Sequence, residues 1–181
     1  MLSEMVKSVT LPDTTETKLN WKPWLLITLV VLLLDQWTKH LVLENMALYS
    51  RIELMPFFNL VHVHNYGAAF SFLSDQPGWQ RWFLSGITTV ISVVIFIWLT
   101  RLNKTQLLLA TALVFILGGA LGNLYDRLAY GYVVDFIDWY YGTYHWPAFN
   151  LADAAISLGA VLLIVDTFKN PEKAKSKEDK A

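Results

Sequence analysis

The stretch TQLLLATALVFILGGALGNLYDR, residues 105–127, decides the fold. Its first 21 positions carry no charge, and Asp126 and Arg127 follow directly. A bilayer core about 30 Å thick is crossed by about 20 helical residues at 1.5 Å each. The run therefore predicts a transmembrane helix over 105–125. Its last third has a second character. Gly118, Gly119 and Gly122 are small enough for another helix to approach closely. Asn123, Asp126 and Arg127 lie i, i+3, i+4 on one face, where an apolar solvent penalises them.

Working outward, residues 82–100 form a 19-position run without a charge, and 24–43 and 148–166 are two further candidates. Asp35 and Lys39 interrupt the first of these, and Asp153 sits near the start of the second. Four spans near 24–43, 82–100, 105–125 and 148–166 divide the chain into three parts. These are a polar tail over 1–22, a membrane domain over 23–168 and a charged tail over 169–181. Composition agrees, with 55% hydrophobic and only 16% charged residues, against about 25% charged in soluble domains. A net charge of -1 offers nothing to nucleic acid, and the absence of Cys excludes disulfides, thiolate metal sites and a cysteine nucleophile.

Charge sets the orientation. The first tail (Lys7, Lys18, Lys22), the loop at 101–104 and the last tail (Lys169, Lys173, Lys175, Lys177, Lys180) hold ten of the fourteen Lys and Arg. The positive-inside rule then places both termini in the cytoplasm and the larger connections, 44–81 and 126–147, outside. The first span follows a polar segment, exceeds the length of a signal-peptide core and lacks a small-residue cleavage site, so it reads as a retained helix.

The outer connections have patterns of their own. Residues 59–65 alternate polar and apolar, the period of a half-buried strand, with His62 and His64 on one face. Without a third ligand nearby in sequence, the two histidines read as a solvated strand face rather than a metal site. Ten aromatics fall within 125–149. They suit a membrane-interface belt and equally a cradle for a lipid-bearing substrate, and the sequence does not separate the two.

The acids carry the chemical question. Asn150, Asp153 and Ser157 share a face at the start of the fourth span, as Asn123, Asp126 and Arg127 do at the end of the third. Antiparallel spans bring both groups to the same outer level, helped by Ala152, Ala154, Ala155, Gly159 and Ala160. Asp135 lies in the connection between them. A carboxylate cluster at the outer membrane boundary is expected. Asp166 reads as a helix-end acid, Asp35 with Lys39 as a structural i, i+4 pair, and Asp126 beside Arg127 as a plausible ion pair. Asp153, inside an apolar span, reads as functional. Pattern alone does not choose Asp126, Asp135 or Asp138 as its partner.

The motifs DQWTK (35–39), NYGAAF (65–70), GNLYDR (122–127), VVDF (133–136) and FNLAD (149–153) resemble, in order and position, those of the bacterial lipoprotein signal peptidases, or signal peptidase II. The resemblance covers roughly residues 22–168. It implies an all-α membrane fold of four transmembrane helices with a small extracytoplasmic β-cradle and a short extracytoplasmic helical segment. It also implies an aspartic endopeptidase that removes the signal peptide from prolipoproteins, cutting on the N-terminal side of a diacylglyceryl-modified Cys. Its catalytic pair falls on Asp135 and Asp153, with Asp35, Asn65, Gly67, Asn123, Arg127 and Asn150 binding substrate or supporting the site. No metal or organic cofactor is expected, and the partners implied are the diacylated prolipoprotein and membrane lipid, with the enzyme a monomer. The location implied is the bacterial cytoplasmic (inner) membrane, with the active site at its outer face. The competing class is a small proton- or ion-conducting protein using the same acids, which calls for polar positions through the full membrane depth. A serine protease is disfavoured, because no Ser lies in a GxSxG turn.

Overall fold

The computed structural model describes residues 17–68, 72–74 and 76–170. Lys7, Phe70, Asp75 and the lysines at 173, 175, 177 and 180 lie outside them. Helix α1 spans Leu25–Asn45, preceded by a 3-10 turn at Lys22–Trp24 where Pro23 starts the helix. Strands β1 (Arg51–Met55) and β2 (Phe58–Asn65) follow, then α2 (Trp79–Thr100) and α3 (Leu107–Ala129). Strands β3 (Val133–Tyr141) and β4 (Tyr144–His145) precede the final helix, α4 (Leu151–Lys169). All four helices are long and apolar enough to cross a membrane.

Helix α3 is the centre of the bundle. It packs on α1, α2 and α4, and 67% of its most apolar window is buried, against 28% or less in the others. The remaining helices present Leu, Ile, Val and Trp outward, as Leu26, Leu33, Trp37, Val90, Val94 and Val161 do. Such surfaces are stable against hydrocarbon and costly against water. Of the small residues expected between α3 and α4, Gly119 and Gly159 make the closest contacts. A methyl group on Gly119 would collide with the Ala152 carbonyl, and one on Gly159 would lie 2.6 Å from Ile116 Cγ1. Gly118 faces Val31 of α1, and Gly122 faces the Asp35 carboxylate. Glycine here sets interaxial distance, which van der Waals packing rewards in a medium without a hydrophobic drive between helices.

At one end of the bundle the chain around Thr17–Leu19 pairs with the α2–α3 loop, through Leu19 N–H to Leu102 O (2.9 Å) and Lys104 N–H to Thr17 O (3.0 Å). Leu19, Leu99, Leu102, Leu109 and Leu113 close the core there. At the other end stands one antiparallel sheet in the order β1-β2-β3-β4. The strand expected over 59–65 is β2. Past the end of α3 at Ala129 the aromatic segment is built as β3 and β4, and the short helical segment that the resemblance implied is not seen there. The pairing of β3 with β2 in register (Asn65 opposite Val133, Val63 opposite Asp135) explains why. The run VVDF buries four consecutive side chains, and a ladder satisfies their backbone groups where a single helical turn would leave termini bare. Val42, Val134 and Phe136 form the core beneath the sheet. Its exposed edge carries an open aromatic cavity of about 470 Å³, lined by residues such as Phe57, Trp139, Tyr141 and Trp146.

Candidate active site

Asp135 and Asp153 reach one place by different routes. Strand pairing with β2 fixes Asp135, which is 2% exposed. Asp153 occupies the third position of α4, held by a capping box: Asn150 Oδ1 accepts from Asp153 N (2.9 Å), and Asp153 Oδ2 accepts from Asn150 N (3.2 Å). Asn150 also joins the two acids, because its Nδ2 donates to Asp135 Oδ1 at 2.7 Å. A bridge between Ile137 and Phe149 draws the entry to α4 against β3.

Each carboxylate receives a second amide. Asn65 Nδ2 donates to Asp135 Oδ2 (3.0 Å), and Asn123 Nδ2 donates to Asp153 Oδ1 (2.8 Å). Asn65 is oriented by Gly67, whose N–H binds its Oδ1 at 2.9 Å. Arg127 in turn holds that loop, donating from Nη2 to Gly67 O (2.8 Å) and from Nη1 to Asn123 O (3.3 Å). Gly67 is required by space, since a methyl group there would overlap the Phe72 carbonyl.

Burial, and next the charge of Asp153, push the Asp135 carboxyl up to about 7, against the pull of hydrogen bonds from Asn65 and Asn150 and the charge of Lys39. Two carboxylates that influence each other in this way titrate together, and their titrations belong to the pair. One oxygen-bearing base and one acid at neutral pH is the equipment for activating water against an amide.

The other predicted residues divide clearly. Asp35, Asn123, Arg127 and Asn150 gather behind the pair, as do Asn65 and Gly67 on the sheet side. Ser157 faces outward and takes no part. Asp126 is no ion pair of Arg127: its Oδ2 lies 2.9 Å from Lys39 Nζ, while Arg127 binds carbonyls. Asp35 and Lys39 do pair, at 2.8 Å. Asp138 is engaged elsewhere, by Asn59 Nδ2 (2.7 Å) and His145 Nδ1 (2.9 Å). Burial alone would raise its carboxyl, but these hydrogen bonds and the charges of His145 and Arg51 hold it below the usual range. Asp166, at the far end of α4, accepts from Asn170 Nδ2 (3.2 Å).

The two histidines are close but not solvated as expected. His62 is buried, and its Nδ1 lies 2.9 Å from the Met46 carbonyl, which can only accept. Its Nε2 lies 3.0 Å from His64 Nε2. Burial and the neighbouring His62 hold His64 below its ordinary value. No group of three metal-binding side chains occurs among the described residues. Gln36 was missed at the sequence level, although its place in DQWTK beside Asp35 was visible. Its Nε2 reaches Asp35 Oδ2 (3.1 Å), Asp126 Oδ1 (2.8 Å) and Gly122 O (3.2 Å).

Four membrane-spanning-capable helices, a small sheet at one end and a coupled carboxylate pair between them define a multi-pass membrane protein equipped for hydrolysis. The family model described as Signal peptidase (SPase) II matches residues 27–169, and the chain belongs to that peptidase family. It is 56% identical over 158 residues to a lipoprotein signal peptidase of Alteromonas mediterranea, covering 87% of this chain and 86% of that one. A lipoprotein signal peptidase of Vibrio vulnificus is 53% identical over 84% of this chain and 92% of its own. A solved bacterial membrane enzyme, determined by the in meso method at 2.3 Å resolution, superposes with a TM-score of 0.77 at 31% identity. That likeness covers 87% of this chain and 94% of the other.

Proposed function

We propose that the protein is an aspartic endopeptidase that removes signal peptides from prolipoproteins, cutting on the N-terminal side of a diacylglyceryl-modified Cys, with Asp135 and Asp153 as its catalytic pair. The observation that carries the assignment is Asn150, which donates to Asp135 and caps the helix turn of Asp153. The ionised member takes a proton from water, whose oxygen adds to the scissile carbonyl. The protonated member donates to that carbonyl oxygen as negative charge develops on it. Collapse breaks the C–N bond, the departing nitrogen takes a proton, and the products are a signal-peptide carboxylate and a free amino group on the lipidated Cys.

Depth follows from the substrate. Its acyl chains stay in hydrocarbon while the peptide bond meets water, so the acids belong where α3 and α4 meet the sheet. The reading places that end at the outer face of a bacterial cytoplasmic membrane, with both termini cytoplasmic and the enzyme a monomer. Lys18, Lys22, Arg101 and Lys104, at the opposite end, support it. An ion path is not favoured, because deeper in the bundle α3 buries Leu109, Leu113, Val114 and Leu117.

The test is cleavage of a diacylated prolipoprotein peptide by the purified enzyme. Asp135→Asn and Asp153→Asn should each lose at least about 10²–10⁴-fold in rate, and the double variant should be barely worse than either, because the two act as one unit. Asp138→Asn should keep most activity. A folded Asp135→Asn enzyme with near wild-type turnover would refute the pair.

A further inference from the structure

Lys39 is buried at 1% exposure in an apolar helix, and the proposed hydrolysis does not use it. Its ammonium touches three acceptors from two helices: Asp35 Oδ2 (2.8 Å) on its own helix, and Asp126 Oδ2 (2.9 Å) and Asn123 Oδ1 (2.9 Å) on α3. An ammonium has three donors and no acceptor, so this set satisfies it completely. Apart from Gln36, which bridges Asp35 and Asp126, the onward side-chain contacts of these partners lead to the carboxylate pair. Asp35 Oδ1 accepts from the backbone N–H of Ala152 (2.9 Å), the residue before Asp153. Asp126 Oδ2 accepts from the N–H of Val134 (3.2 Å), the residue before Asp135.

The third contact carries more than position. Because Lys39 only donates, Asn123 must turn its oxygen toward the ammonium, and its nitrogen then faces Asp153. The same oxygen accepts from Asn150 Nδ2 (3.2 Å), which fixes Asn150 as well, nitrogen toward Asp135 and oxygen toward the Asp153 N–H. An amide side chain is nearly symmetric in shape, so packing alone does not choose its orientation. A flipped Asn123 or Asn150 would aim a carbonyl at a carboxylate.

We propose that Lys39 is the positioning residue of the catalytic pair: its ammonium sets the direction of the Asn123–Asn150 amide chain and, through Asp35 and Asp126, anchors the backbone before each acid. This rests on the assignment of Asp135 and Asp153 above. Lys39 acts through other groups and is not itself a catalytic residue.

The test uses full-length enzyme and the diacylated peptide, with Asp135→Asn as reference. Lys39→Met keeps length and removes the donors. Asp35→Asn with Lys39→Met removes one charge of each sign, leaving the buried cluster's net charge unchanged. Both should lose about 10²-fold in kcat, the scale of a small misplacement of reacting groups, while KM stays within about threefold, because the substrate-facing surface is untouched. A role in folding alone would lower the amount of active enzyme without lowering turnover per folded molecule. A folded double variant with near wild-type kcat overturns the proposal, and so does failure of both variants to fold, which would assign Lys39 to stability. An active Asp135→Asn enzyme would instead overturn the pair itself.

Discussion

Asp135 shows how little a single side chain determines without its neighbours. Its carboxyl is raised to about 7 chiefly by burial and then by Asp153, and both depend on the bridge that ties the entry of α4 to β3. In the proposed mechanism the pair keeps one proton, so loss of the last proton should end activity. Turnover should be steady below about pH 6, bend near 7 and fall about tenfold per unit well above it, measured as kcat/KM against pH. The same shift bears on stability with a definite sign. A carboxyl raised above its usual 3.8 binds more protons folded than unfolded between the two values, so stability falls as pH rises from about 4 to 7. Asp135→Asn should flatten that part of the thermal-midpoint profile. The sequence marked Asp153 as a functional candidate from its place in an apolar span. It could not choose among Asp126, Asp135 and Asp138, because which acid faces Asp153 is decided by strand register and by Asn150.

At the scale of elements, the α3–α4 contact governs the site, since Asn123 comes from one helix and Asn150 with Asp153 from the other. Gly119 stands against the Ala152 backbone, two residues after Asn150. Gly119→Val should drive the helices apart, lower the thermal midpoint by the equivalent of about 1–3 kcal/mol of overpacking, and reduce turnover as well. Gly86 is the control. Nothing lies within 4 Å of a methyl group there, and Ala is the better helix former by about 1 kcal/mol. Gly86→Ala should leave the midpoint unchanged or raise it, with activity intact. Both glycines look alike in sequence. The run LGGALGN flagged the first only because three small residues recur on nearby faces.

For the whole molecule, the charge pattern and the two-ended architecture make a joint prediction. The Lys18–Asn103 bridge holds the N-terminal segment against the basic α2–α3 loop, so both must lie on one side. Reporter fusions at Lys104 and after the last helix should read cytoplasmic, and an insertion at Gly142, in the exposed β3–β4 turn, should read external. An external signal at Lys104 would overturn the topology.

Four spans, the strand over 59–65 and the grouping of Asn123, Asp126 and Arg127 were legible because hydropathy and periodicity are local properties. An apolar run of about 20 residues has few alternatives in a bilayer, and polar–apolar alternation signals a strand even where, as between Leu60 and Val63, an irregularity interrupts the register. The aromatic stretch after 125 was not legible as strand, since its ladder partner β2 lies some seventy positions earlier. Nor was the partner of Lys39: Asp35 is visible at i, i+4, but Asp126 and Asn123 meet it only because α1 crosses α3. The sequence determined which residues are polar at the membrane boundary. Tertiary structure alone decided which donor faces which oxygen, because hydrogen bonds are directional and short, and segments far apart in the chain supply their two ends.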